Sequence, residues 1–219
     1  MASNKERGRY IVWEGSDGVG KGTQMKLALA ESARRGIETL AVFEPGYTQL
    51  GQTLRHLVLG GDEHIDPETE LGIYLTDRSH LARQVIAPAL AHGIDVHSDR
   101  SWLSGIPYQG KGGGMDIEKL IEMHRLMMPE FYMKPDLNLV FQLETQERLR
   151  RKHLALVGQD AELDRMERKG LEFYESVDQG YEYVIRRFGA YGIDASGTPD
   201  EVATRWWGLV FPPELDLAS

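Results

Sequence analysis

With 219 residues, 34 acidic against 25 basic side chains, a formal charge of −9 and no cysteine, the chain is long enough for one α/β domain with a sizeable core. The acidic balance argues against a broad nucleic-acid or anionic-membrane surface. The absence of cysteine excludes a disulfide framework, thiolate metal ligands and a cysteine nucleophile. Residues 1–9 are polar and basic with no apolar segment behind them, and no run approaches membrane-spanning length, so neither a leader nor a membrane span is expected. A reducing cytoplasm is the expected setting.

Five short apolar or β-branched runs, at 10–14, 38–42, 94–98, 137–143 and 191–194, alternate with longer helical patterns. That alternation predicts α/β architecture: a five-stranded parallel sheet flanked by helices on both faces, with functional residues at the carboxyl ends of the strands. No repeat or linker interrupts it, so a single domain over 1–219 is expected.

The first run leads into a glycine-rich turn and then a helix. Gly15, Gly20 and Lys21 have the G-x-x-x-x-G-K spacing of a phosphate-binding loop. There glycines let backbone N–H groups turn toward an anion, lysine adds a point charge, and the helix start adds its dipole. The hydroxyl that usually follows this lysine to meet Mg²⁺ is displaced: Gly22 stands there and Thr23 comes next.

After the second run, 43–48 reads as a turn ahead of an amphipathic helix. Asp66 and Pro67 then open a long helix, with Pro88 expected to bend it and Gly93 to end it. Tyr74 and Arg78, four apart, share a helical face. They are either a stacking ring beside a hydrogen-bonding guanidinium, suited to a flat base, or a half-buried core residue beside a surface charge. Asp99 and Arg100 follow the third strand, where a carboxylate suits metal or water coordination and a guanidinium suits phosphate. His97 reads as a packed strand residue. The stretch 111–114 is either a flexible substrate cover or a long turn.

The basic run 147–152 is either a solvated helical face or a lid carrying arginines over a transferring phosphate. The final helix opens on a capping box from Thr198 to Glu201, and Trp206 and Trp207 are expected to pack rather than form a base-stacking platform.

Taken in order, W-E-G-S-D-G-V-G-K-G-T from Trp13, F-E-P-G-Y-T-Q-L-G from Phe43, Y-L-T-D-R from Tyr74, D-R-S-W-L-S-G-I-P-Y-Q-G from Asp99 and A-E-L-D-R-M-E from Ala161 resemble the thymidylate kinase family. The likeness runs from residue 10 to about residue 210. It implies the nucleoside monophosphate kinase fold with a small helical lid, here about 148–163. It also implies transfer of the ATP γ-phosphate to dTMP with Mg²⁺, and a homodimer. ATP would be held by Gly15, Ser16, Asp17, Gly18, Val19, Gly20, Lys21, Gly22 and Thr23, with Asp194 and Ala195. The acceptor would be held by Glu44, Tyr47, Tyr74, Arg78, Arg100, Ser104, Gly105, Tyr108 and Gln109. Lys21, Asp17, Asp99 and Arg100 would carry catalysis. Arg150 or Arg151 would supply the lid arginine, since Gly18 leaves none inside the loop, with Arg165 a further candidate. Mg²⁺ would meet Asp99 through water and Thr23 weakly. No nucleic-acid polymer and no membrane enter as partners.

Phe43, Tyr47, Ser101 and Gly105 depart from the family pattern around the acceptor; Gly105 stands where Asn or Thr often approaches the pyrimidine. These departures keep two alternatives open. One is a kinase for another or 5-modified deoxypyrimidine monophosphate. The other is a nucleotide-binding regulatory module without catalysis.

Overall fold

The computed structural model describes residues 7–60, 64–156 and 169–213. Five strands, β1 (Tyr10–Gly15), β2 (Thr39–Phe43), β3 (Asp95–Asp99), β4 (Leu137–Gln142) and β5 (Tyr191–Asp194), form one sheet in the order β2-β3-β1-β4-β5. Every pairing is parallel, with Trp13 beside Asp99 on one side of β1 and Gly15 beside Phe141 on the other. Each strand begins and ends within a residue of its expected run.

Parallel neighbours require crossover connections, and helices supply them. They are α1 (Lys21–Arg34), α2 (Gln49–Leu59), α3 (Pro67–Leu81), α4 (Ala87–Ala91), α5 (Ile117–Met127), α6 (Glu130–Met133), α7 (Thr145–Leu156), α8 (Leu171–Phe188) and α9 (Pro199–Val210). Because strand side chains alternate, β1 feeds two cores. Tyr10 and Val12 pack with Leu71 and Leu75 of α3, Leu120 of α5 and Val177 of α8. Ile11 and Trp13 pack with Ala28 of α1 and Val202 and Trp206 of α9. The same alternation turns Glu14, fully buried, toward the first face. Connections leave β1 toward β2 and arrive at β4 from the opposite side, so a crevice opens beyond the carboxyl end of β1.

Two readings gain detail. Upstream of Pro88, α3 widens into a π turn over Ala82–Ile86, and Ala87 N–H, at the start of α4, reaches back to Ala82 O. Pro88 has no N–H for the carbonyl four residues back, and its ring crowds that carbonyl, so the turn upstream expands. Of the two readings of 111–114, the structure shows a turn. Residues Ile106–Gly112 form a wide helical turn in which Pro107, Tyr108 and Gln109 are buried against α8. Gly180 of α8 permits this approach, since a Cβ there would lie 2.4 Å from Pro107 Cα.

Asp66 caps α3 by accepting from Thr69 N–H at 2.9 Å, and the capping box at Thr198 and Glu201 is complete. Trp206 is fully buried and donates to Gln24 Oε1, a packing role as expected. Of the expected lid, α7 covers the first part, while residues 157–163 and Arg165 lie outside the described residues. No helix among the described residues is long and apolar enough to cross a membrane.

Candidate active site

The donor side is built by backbone. Gly15 and Gly20 have φ of 135° and 94°, a region in which a side chain is strained, and a Cβ on Gly15 would fall 2.4 Å from Phe141 O. Gly20 caps α1 without any side-chain acceptor; Thr23 N–H turns back to Gly20 O at 3.1 Å, and no side-chain cap competes with an anion for the N–H groups at the helix start. Lys21 lies over the loop, its Nζ donating to Gly15 O at 3.0 Å and standing 3.8 Å from Asp99 Oδ1. Burial, helped by nearby Arg100, pulls its ammonium below the usual lysine range; an incoming phosphate reverses that pull. A cavity of about 680 Å³ follows this loop, lined by 17–24 and, across from it, by Arg151, Ala195, Gly197 and Pro199. Gly15 and Ser16 sit behind that lining, and Asp194 borders a neighbouring cleft with Ser16.

The acceptor side is built by side chains from separated elements. A cavity of about 240 Å³ is lined by Asp17, Glu44, Arg55, Tyr74, Arg78, Arg100, Ser104, Tyr108 and Gln109 with Pro45 and Leu59. Seven of these were expected as acceptor contacts, and the structure brings them together. Tyr47 lies outside, with Phe43 packed edge-on to its ring at 5.7 Å, and Gly105 lies behind Arg78.

Arg100 is the pivot. Its φ of 76° is left-handed, a conformation costing a non-glycine residue about 1–3 kcal/mol. Charge-assisted bonds offset that cost: Arg100 Nη2 donates to Asp17 Oδ1 at 2.6 Å and Tyr108 Oη at 3.1 Å, and Nη1 to Tyr181 Oη at 3.0 Å. Beneath it, Glu14 Oε1 accepts from Ser101 N–H and Oγ, and Oε2 from Ser104 Oγ and Tyr181 Oη. Ser101 therefore has a local reason: a small hydroxyl residue satisfies a buried carboxylate.

At the other end, Glu44 is buried beside Arg78, whose Nε donates to Oε2 at 3.3 Å, while Tyr132 Oη lies within 2.7 Å of both carboxylate oxygens. Burial pushes the Glu44 carboxyl up to about 8 against the pull of Arg78 and Tyr132. Arg78 stacks over Tyr74, 5.1 Å from Cζ to the ring centroid, and Gln109 Nε2 donates to Glu70 at 2.6 Å.

The run of charges on α7 divides by environment. Arg150 is exposed and paired with Glu147. Arg151 reaches Ala195 O at 3.2 Å and lines the donor cavity. Arg148 is buried over Tyr174 and donates to Asp178 at 3.0 Å, and Ser16 Oγ donates to the same carboxylate. Thr23 is exposed at the donor cavity.

Several residues here were not singled out as site residues from the sequence: Glu14, Arg55, Tyr132, Arg148, Asp178 and Tyr181. Arg55 had a usable signal. It falls four residues after Gly51 and four before Leu59 on α2, a polar residue on the face that carries the buried Val58, and its Nη1 wraps back to Pro45 O at 2.8 Å.

A thymidylate kinase family model matches residues 13–205. A thymidylate kinase from a Synechococcus species is 38% identical over 212 residues, covering 96% of this chain and 97% of that one. One from Prosthecochloris aestuarii is 36% identical over 201 residues, covering 88% of each. The crystal structure of thymidylate kinase from Ehrlichia chaffeensis superposes with a TM-score of 0.73 at 23% identity, covering 93% of this chain and 98% of that one, which supports the fold. With the loop, the paired cavities and these matches in agreement, the chain belongs to the thymidylate kinase family.

Proposed function

We propose that the protein transfers the γ-phosphate of ATP to dTMP, giving dTDP for dTTP synthesis. The observation that carries this reading is that Asp17 lines both cavities, with Lys21 on the donor side and Arg100 bonded to it on the acceptor side. Two nucleotides bound there meet phosphate to phosphate at that carboxylate. The acceptor phosphate oxygen is already a competent nucleophile, so the protein's work is alignment and neutralisation rather than proton abstraction. Lys21 and the loop hold the donor phosphates. Arg100, pre-aimed by Asp17, Tyr108 and Tyr181, receives the acceptor phosphate, with Arg55 also at that cavity.

The residues present fit a magnesium ion: Asp99 Oδ1 is buried without a hydrogen-bond partner beside Lys21. Asp99 would hold the ion, directly or through water, with Thr23 nearby. Held there, the ion would supply positive charge that neutralises the donor phosphates. By family membership the reading extends to a homodimer, a cytoplasmic setting and a lid over 148–163 from which Arg150 or Arg151 supplies charge, with Arg165 beyond it a further candidate.

The rival with another pyrimidine rested on Phe43, Tyr47, Ser101 and Gly105. None of these lines the acceptor cavity, which supports dTMP over that rival, and Gly105 adjoins Arg78. The test is coupled ADP release with ATP, Mg²⁺ and individual deoxynucleoside monophosphates. Turnover on dTMP above the rest is the expected result. Preference for another monophosphate transfers the assignment to that acceptor, and silence across the panel removes the kinase.

A further inference from the structure

Arg78 owes its orientation to a histidine that no motif singles out. His124 on α5 is fully buried, and its Nδ1 lies 2.9 Å from Leu120 O. A carbonyl only accepts, so Nδ1 carries the proton and Nε2 is left as a lone pair. That lone pair faces Arg78 Nη1 at 3.0 Å, and a guanidinium only donates. Both neighbours thus demand the same tautomer. Burial and the charge of Arg78 hold the imidazole neutral, with its pKa down to about 3, so the acceptor persists through the neutral range.

The fork of Arg78 is therefore pinned at two points, Nε on Glu44 and Nη1 on His124, while Nη2 has no hydrogen bond among the described residues. Arg78 still lines the acceptor cavity. Gly105 completes the arrangement: a Cβ there would lie 3.3 Å from His124 Cε1 and 3.6 Å from Arg78 Nη1. The site thus has no side chain at 105 and a pinned guanidinium next to it.

We infer that His124 is a specificity-determining positioning residue: it fixes the plane of Arg78 so that the free N–H groups meet a carbonyl at the pyrimidine 4-position and disfavour a 4-amino group. The inference rests on the assignment of the acceptor cavity to a pyrimidine monophosphate. A donor-only group aimed rigidly gains a hydrogen bond from dTMP or dUMP, whereas with dCMP it faces another donor. A guanidinium free to swing could turn away from the amino group at lower cost.

The test compares the parent with His124→Leu, which keeps bulk but removes the acceptor, and His124→Gln, which returns an acceptor at similar reach. Turnover and calorimetric binding are both read for dTMP, dUMP and dCMP. In His124→Leu the KM for dTMP is expected to rise about tenfold and the preference for dTMP over dCMP to fall about tenfold, with kcat within about twofold. His124→Gln should recover most of both. Unchanged selectivity in His124→Leu overturns the inference. So does a uniform loss of kcat with a lowered melting temperature that His124→Gln does not repair, because that pattern marks packing alone. A parent that binds dTMP over dCMP without phosphorylating it defeats the kinase reading while leaving the His124 comparison readable. A parent that binds both equally overturns the inference.

Discussion

The two halves of the site are made of different material. The cavity proposed for the donor is built mainly on one continuous stretch, 17–24, with Arg151, Ala195, Gly197 and Pro199 across from it, and that stretch offers backbone N–H groups and Lys21. The acceptor cavity gathers side chains from the ends of β2 and β3, from α2 and α3, and from the turn at 106–112. The first depends on where the backbone runs. The second depends on buried bonds between groups far apart in sequence, such as Arg78 with Glu44 and His124. Damage to the donor half should therefore appear in the chemical step, and damage to the acceptor half in affinity and selectivity.

The largest expected effect tests the donor half. Lys21→Ala removes the cation bonded to Gly15 O at the start of the loop, and kcat should fall by at least about 10²–10³-fold. Binding of dTMP measured by calorimetry should remain, because Lys21 is not part of the acceptor lining. Loss of dTMP binding as well would erase the distinction between the halves.

Acid should attack the floor they share. His97 is buried in β3, its Nδ1 accepts from Trp13 Nε1 at 3.2 Å, and its Nε2 has no partner among the described residues. Burial lowers its pKa to about 4, with Asp95 opposing and Arg9 assisting. A histidine whose folded pKa lies below its unfolded value of 6.5 contributes stability that is complete above pH 6.5 and is lost as pH falls toward 4. The loss is on the order of 3 kcal/mol across that window. Denaturant titrations from pH 7 to pH 4 should show it, and His97→Gln, which keeps an acceptor for Trp13, should flatten it. An equally steep acid limb in His97→Gln would assign the loss to other groups.

Tyr74→Ala sharpens the acceptor side. Removing the ring should weaken dTMP binding by about 1–3 kcal/mol if base stacking is its role, with the KM for ATP unchanged. Equal losses for both nucleotides would make Tyr74 a core residue of α3 instead.

This division also explains what could be read without coordinates. The phosphate loop was legible because its parts are consecutive and its glycines have a backbone reason to be there. The sheet was legible because each strand is a short apolar run bounded by turns. Glu14 was not: within a strand it reads as one charge, and only folding brings Ser101, Ser104 and Tyr181 to it. The shared helical face of Arg78 and Tyr74 was legible from their spacing, and the base contact of Arg78 was implied only by the family resemblance, but its hydrogen-bond partners lie 34 and 46 residues away. Arg148 was hidden for the opposite reason: a dense basic run reads as solvated, and one member of it is buried.

That run carries the smallest expected difference and the finest test of where the donor half ends. Arg150 and Glu147 form an exposed i,i+3 pair, and such pairs contribute about 0–1 kcal/mol. Arg150→Ala should therefore leave stability and turnover close to the parent unless the side chain swings inward when ATP binds. Arg151 already spans to Ala195 O at the donor cavity, so Arg151→Ala should raise the KM for ATP severalfold without altering that for dTMP. If Arg150→Ala proves the more damaging, its pairing with Glu147 must break on ATP binding. α7 would then belong to the donor half only when the nucleotide is present, and the backbone-built half would gain one side chain that arrives with its ligand.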